Sequence, residues 1–455
     1  QAVTLTAHSG NPTREFPVTV RAAHGEDQYG AYLFTYFNGE GGPAGESVRL
    51  AISDGADALS WHDLNDGNAV LSSTEGTGGV RDPFLIRSAE GDRFYLLATD
   101  LNTQNVNFAQ AQIDGSTYLE IWESTDLVTW SNQRHVKVSS DYAGNTWAPE
   151  AFYDQARDQY VVYWASNLYD STSVDGRNNT ASYNRMMYVT TRDFVTFSQP
   201  QIWIDSERRE GGYGMIDSSV IQDGDTYYRF TKEEGPMTVL MQKSNDLLAP
   251  IVHTGIGTPF ATTDDPNLWS LVTSSIGVGQ SYLNPAGNVS TFTNGEGPSV
   301  FRAIDNPDQW YLFIDQPSYH GGQGYSAMTS VDKGKTWRVM DSSGLPDSPR
   351  HGTVIPITLD EHDRLATTYQ PELLVTGVES LSMTVPVGGP ASVALPAEVT
   401  VTFGNDGGRT EQVAVDWETP DFSGLSAAGD SVSVRGWLAN GSATPRSRPS
   451  PPRPT

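Results

Sequence analysis

Ser330-Val331-Asp332-Lys333-Gly334-Lys335-Thr336-Trp337 decides the reading of the fold, because its pattern recurs along the chain. A small hydroxyl residue, an aspartate, then an aromatic four to seven residues after it also occur as Ser53, Asp54 and Trp61. Ser124, Asp126 and Trp130 give another copy, and Thr191, Asp193 and Phe197 a further one. Ser244 and Asp246 form a degenerate copy without the nearby aromatic. Ahead of each lies an aromatic and β-branched run of strand length, at 31–37, 94–99, 160–165, 226–230 and 310–314. Five such units predict four-stranded meanders around an axis, since one meander buries its faces only against its neighbours. The aspartates belong at the hairpin joining the outer strands, where a short carboxylate caps local amides. They are turn formers. The run 351–357 follows the fifth hairpin, so the first and last segments are expected to share one blade and latch the ring.

Four acidic phrases come shortly before aromatic strands and so fall on innermost strands. They are Arg81-Asp82-Pro83, Trp147-Ala148-Pro149-Glu150, Met215-Ile216-Asp217-Ser218 and Gly295-Glu296-Gly297-Pro298. Inner strands line the axis, so acids from different blades meet at one mouth. Acetal hydrolysis needs such a set: one carboxylic acid protonates the leaving oxygen and one carboxylate activates water or attacks.

In this order, and followed by Arg350-His351-Gly352, the phrases resemble glycoside hydrolase family 43 over about residues 28–370. The resemblance implies an inverting glycosidase with Asp82 as general base, Glu296 as general acid and Asp217 as the carboxyl that positions and tunes Glu296. It also implies substrate contacts from Arg81, Trp147, Glu150 and Arg350, although the family usually shows Asp where Glu150 stands. No cofactor is required. A structural cation such as calcium at the propeller axis, beside His351, is the one metal expectation. Asp100, Asp315, Glu233 and Glu234 follow aromatic strands and could also reach the mouth. The inserts 102–116, 167–182 and 259–294 are expected to shape the pocket.

Composition bounds the partners. Twenty-eight basic against fifty-five acidic side chains leave a formal charge of −27, which disfavours nucleic acid and anionic lipid. A neutral or weakly charged substrate fits better; the resemblance implies carbohydrate from plant polysaccharide, and a monomer is expected. There is no cysteine, hence no disulfide framework or thiol nucleophile. The start at Gln1 is what a secreted chain trimmed of its leader would show, so an extracellular location is expected.

The expected fold class is all-β: a five-bladed β-propeller over 1–371, then a small immunoglobulin-like β-sandwich over 372–442. Residues 443–455, rich in Pro, Ser and Arg, read as a linker or disordered tail. The run 397–403 alternates like a strand, and Asn405-Asp406-Gly407-Gly408 is a hairpin signal.

Exo-removal of terminal α-L-arabinofuranose is the expected activity. β-D-Xylosidase and β-D-galactofuranosidase or galactanase activities stay open on the same fold, as does a non-catalytic carbohydrate-binding propeller. A sialidase is a poorer match despite the Asp-box at 330–337, because it needs an arginine cluster and a sixth blade. Fructan hydrolases share Arg-Asp-Pro, but their Asn-Asp-Pro-Asn phrase has no counterpart in this chain.

Overall fold

The computed structural model describes residues 2–7, 14–19, 29–252, 255–322, 324–379, 381–383, 394–404, 410–421 and 430–438. Ala2–Ala7 and Arg14–Thr19 pair as a two-stranded hairpin. Between residues 29 and 358 the described residues form five four-stranded antiparallel sheets, each ordered from an inner to an outer strand. The first is Val80–Arg87, Phe94–Asp100, Tyr118–Ser124 and Arg134–Lys137. The second is Trp147–Asp154, Gln159–Asn167, Asn184–Thr191 and Gln201–Ile204. The third is Met215–Asp223, Thr226–Glu233, Thr238–Ser244 and Ser270–Thr273. The fourth is Glu296–Arg302, Trp310–Gln316, Gly324–Ser330 and Arg338–Val339. The fifth joins Arg350–Thr358 to Tyr29–Phe37, Arg49–Asp54 and Asp57–Asp63. The expected sharing of one sheet by early and late segments is therefore found, with Val354 opposite Phe34 and Ile355 opposite Leu33.

Side-chain alternation explains the stacking. In the strand Phe94–Asp100, Phe94, Leu96 and Ala98 pack toward the fifth sheet, while Tyr95 and Leu97 pack toward the second. A strand buried on both faces needs apolar residues at consecutive positions, which is why these strands read as continuous aromatic runs. Tyr163, Met186 and Trp203 pack against Met215, Leu240 and Trp269 between the second and third sheets. Phe230 and Met241 meet Trp310 and Leu312, and Phe313 and Tyr325 meet Tyr32 and Phe34, completing the cycle. The five inner strands touch one another in the same cyclic order. The fold is all-β in its bulk, with four-stranded sheets of the kind a propeller uses.

The repeated aspartates sit between the third and fourth strands, as expected. Asp126 Oδ1 accepts from the Val128 and Thr129 amides at 2.9 and 2.6 Å, and Asp193 does the same for Val195 and Thr196. Asp332 caps the Thr336 amide at 2.9 Å.

Two helices were not foreseen. Phe108–Asp114 lies in the 102–116 insert, and Leu359–Tyr369 follows directly on ring closure. The latter begins in a reciprocal cap between Thr358 and Glu361, and the Glu361 carboxylate pairs with Arg87 at 2.7 Å. Val375–Val378, Glu398–Phe403, Thr410–Trp417 and Gly436–Leu438 form a further four-stranded sheet, with Val399, Val401 and Phe403 buried on one face. The hairpin signal at 405–408 and the tail 443–455 lie outside the described residues. Among the described residues no helix is long and apolar enough to cross a membrane.

Candidate active site

Each inner strand breaks register near its start. The last paired residue before the break is Arg81, Trp147, Ile216, Glu296 or Arg350. The residue after each is Asp82, Ala148, Asp217, Gly297 or His351. Four of these five have left-handed backbone: Asp82 at φ 50, Ala148 at φ 53, Asp217 at φ 56 and Gly297 at φ 54. Such strain costs about 1–3 kcal/mol at a non-glycine residue and gathers at functional sites. Pro83, Pro149 and Pro298 follow three of the four, where the ladder is already open and the missing N–H costs nothing. Of the ten residues, all but Gly297 line one cavity of about 410 Å³. Gly297 serves in another way, because a Cβ there would lie 2.6 Å from Cγ of His351.

Asp82, Asp217 and Glu296 thus enter one cavity from the first, third and fourth sheets. The Thr99 hydroxyl accepts from the Ala148 amide at 2.8 Å, so its own proton points to Asp82 Oδ2, also at 2.8 Å. That fixes the carboxylate. His351 Nδ1 stands 3.5 Å from Asp82 Oδ1 and 3.9 Å from Asp217 Oδ1. Asp217 is 5% exposed and accepts the Gly297 amide at 3.0 Å. Burial pushes its carboxyl up to about 6, with Glu296 and Asp82 adding to the rise and His351 and Lys232 opposing it.

Glu296 is held on both oxygens. Lys232 Nζ donates to Oε2, the Tyr319 hydroxyl donates to Oε1, and Arg350 Nη2 lies 3.4 Å from Oε1. Burial alone would lower the Lys232 ammonium, but Glu296, Asp217 and Glu234 hold it above its ordinary range. Arg350 Nε donates to Asp315 Oδ2 at 2.7 Å, and the same oxygen accepts the His351 amide at 3.1 Å.

The other expected residues divide. Trp147 and Arg350 line the cavity, and Trp147 meets Phe108 edge to face at 6.2 Å. Arg81 lines it too, but two guanidinium nitrogens go to Glu46 at 3.1 Å and Glu40 at 3.2 Å. Glu150 corrects the sequence reading: it is 3% exposed, accepts from the Tyr163 hydroxyl at 3.2 Å and does not line the cavity. Burial, together with nearby Asp217, raises its carboxyl well above the usual range, so it is a core acid. Glu234 lines the cavity and Asp315 anchors Arg350, whereas Glu233 turns to Arg208 and Asp100 to Thr77. Among the described residues, one trio of possible metal ligands lies within mutual reach, Asp100, Glu120 and His135 of the first sheet, and it does not include His351. Of the three inserts only 102–116 contributes lining residues, Phe108 and Gln112.

Sequence reading missed Lys232, Thr99 and Tyr319. Lys232 had a signal, since a lysine inside a buried aromatic strand needs a buried partner. Thr99 and Tyr319 had none.

The raised Asp217 carboxyl makes a stability prediction. Its folded value of about 6 exceeds the ordinary 3.8, so folding disfavours the ionised form. Stability from this group is complete at low pH and lost as pH rises through about 6. Asp217→Asn removes that loss and keeps an acceptor for the Gly297 amide. The variant is expected to be more stable than the parent at pH 7–8 by roughly 2 kcal/mol, the gap narrowing below about pH 6 and closing only near the ordinary carboxyl value of 3.8. Calorimetric melting across that range checks it, and parallel curves for the two proteins would contradict it.

A family described as "Probable glycosyl hydrolase domain", related to glycoside hydrolase family 43, matches residues 27–363. An α-L-arabinofuranosidase of Bifidobacterium longum subsp. longum is 35% identical over 253 residues, 51% of this chain and 23% of that relative. The chain therefore spans about a quarter of that relative's length. The Cellvibrio cellulosa α-L-arabinanase complexed with arabinohexaose is similar at a TM-score of 0.44 and 14% identity, over 70% of this chain and 94% of that one. An endo-1,4-β-xylanase from Bacteroides thetaiotaomicron gives 0.41 and 14%, over 68% of this chain and 90% of that one. With the match running through about three quarters of its length, the chain belongs to this glycosyl hydrolase family, related to family 43.

Proposed function

We propose that this chain is an inverting, exo-acting α-L-arabinofuranosidase on a five-bladed propeller, acting on terminal residues of plant polysaccharides or oligosaccharides. The observation that carries the reading is the meeting of Asp82, Asp217 and Glu296 in one sugar-sized cavity. The activity of the Bifidobacterium relative supports the choice of sugar.

Asp82, fixed by Thr99, takes the proton of the attacking water. Glu296 gives its proton to the leaving oxygen. Asp217 positions the pair through His351 and the Gly297 amide. Five carboxyls (Glu40, Asp82, Asp217, Glu234 and Glu296) line the cavity together with Arg81, Lys232 and Arg350. Burial raises the carboxyls of both Asp217 and Glu234. His351 Nδ1 faces the carboxylates of Asp82 and Asp217, and a structural cation such as calcium beside it at the axis is part of the reading.

The catalytic domain is read as 1–371 and the region 372–442 as an immunoglobulin-like spacer, in a secreted monomer. Nitrophenyl α-L-arabinofuranoside, β-D-xyloside and β-D-galactofuranoside compared side by side test the sugar, with the arabinofuranoside expected to turn over fastest by at least about tenfold. NMR of the first-formed sugar is expected to show the inverted anomer. A retained anomer would sink the inverting mechanism, and failure on all three would favour a carbohydrate-binding propeller.

A further inference from the structure

We propose that Tyr319 forms the leaving-group side of the site: its hydroxyl holds the place of the scissile oxygen on Glu296, and its ring then packs against the incoming second sugar unit. The inference rests on the reading of Glu296 as general acid.

Tyr319 lies on the short turn Ser318–His320, between the second and third strands of the sheet whose inner strand carries Glu296. To receive a proton, the glycosidic oxygen must hydrogen-bond one oxygen of Glu296. Oε2 is bonded to Lys232, whose side chain is only 8% exposed and is held by surrounding acids, so that donor cannot withdraw. Oε1 is different. Beside the Arg350 Nη2 contact at 3.4 Å, its donor is the phenol of a residue that is 61% exposed, on a turn that opens after Pro317 and closes at Gly321 and Gly322. Gly321 has φ +79, a conformation that glycine adopts without strain.

Oε1 is therefore the oxygen that can exchange partners, and the phenol oxygen now stands where the leaving oxygen must come. Whatever is attached to that oxygen, the departing sugar, lies beside the Tyr319 ring. Arg350 steadies the inner edge, with Nη2 3.2 Å from the phenol oxygen and the guanidinium carbon 5.4 Å from the ring centroid. Tyr319 is largely exposed at the mouth, and an aromatic ring there offers a flat apolar platform to the C–H face of a sugar. Phe108, on the helix Phe108–Asp114, and Trp147, on the second sheet, meet edge to face and line the same cavity from other parts of the ring, and they are assigned to the sugar that is cleaved off.

The full chain, Y319F and Y319A are compared. Y319A is expected to raise KM for an arabinofuranosyl oligosaccharide about tenfold while the Ki of free arabinose, which fills only the inner half, changes by less than about twofold. Y319F keeps the ring, so KM stays within about twofold of the parent. Loss of its hydroxyl removes a donor to the ionised Glu296, favours the protonated acid and moves the alkaline limb of kcat/KM to higher pH. Equal changes in KM and Ki for Y319A, or an unmoved limb for Y319F, overturn the proposal. The Y319F limb decides even if Y319A melts early. Failure of the Glu296 reading shows separately, as full activity in E296Q.

Discussion

Replacing Glu296 with glutamine is expected to slow hydrolysis of an arabinofuranosyl oligosaccharide by roughly 10²–10⁴-fold, and that of a dinitrophenyl arabinofuranoside by less than about tenfold. A sugar alkoxide cannot depart without a proton, whereas a dinitrophenolate can. The substitution is close to isosteric, and the amide oxygen still accepts from Lys232. That lysine keeps Asp217 and Glu234 as neighbouring charges, so the buried ammonium is not abandoned. Because glutamine does not titrate, the alkaline limb of the pH profile should vanish with the acid. Steady-state kinetics on the two substrates settle the matter. Equal losses would remove Glu296 from the role of proton donor.

Asp82→Asn is expected to behave in the opposite sense. It should cost roughly 10²–10⁴-fold on both substrates alike, since a base acts on the water and is indifferent to what departs. The acidic limb, set by the requirement for an ionised base, should be the one that disappears. Asparagine can still accept the Thr99 hydroxyl, so the cavity wall stays as it is and the loss reads chemistry rather than folding. If Asp82→Asn spared the activated substrate and E296Q did not, the two roles would have to be exchanged.

Local chemistry was legible before the coordinates. The turn aspartates, the aromatic strands and the acid phrases each depend on neighbours a few residues away, and each stands where the sequence placed it. Asp126 and Asp193 cap the next amides, and Asp82, Asp217 and Glu296 share a cavity. What stayed hidden depends on register. Lys232 faces Ile216 across the sheet and reaches Glu296 of the next sheet, a relation no spacing along the chain encodes. Glu150 begins its strand as Asp82 does, but the bulge at Ala148 and Pro149 carries it one layer deeper, onto Tyr163. The helix Leu359–Tyr369 could have been found, because Thr358 and Glu361 have the spacing of a reciprocal cap. The inserts 167–182 and 259–294 misled because length and polarity say nothing about direction. The second of these contains the outer strand Ser270–Thr273 and a separate hairpin, Ser281–Leu283 with Val289–Thr291.

The strand Arg350–Thr358 has a consequence in time. It contributes Arg350 and His351 to the cavity and is the inner strand of a sheet whose other members lie before residue 64. A growing polypeptide carries Asp82, Asp217 and Glu296 well before it can seat the arginine and histidine that order them. The cavity is therefore completed in one step at the end of the ring's synthesis, when a late stretch docks onto one made some three hundred residues earlier.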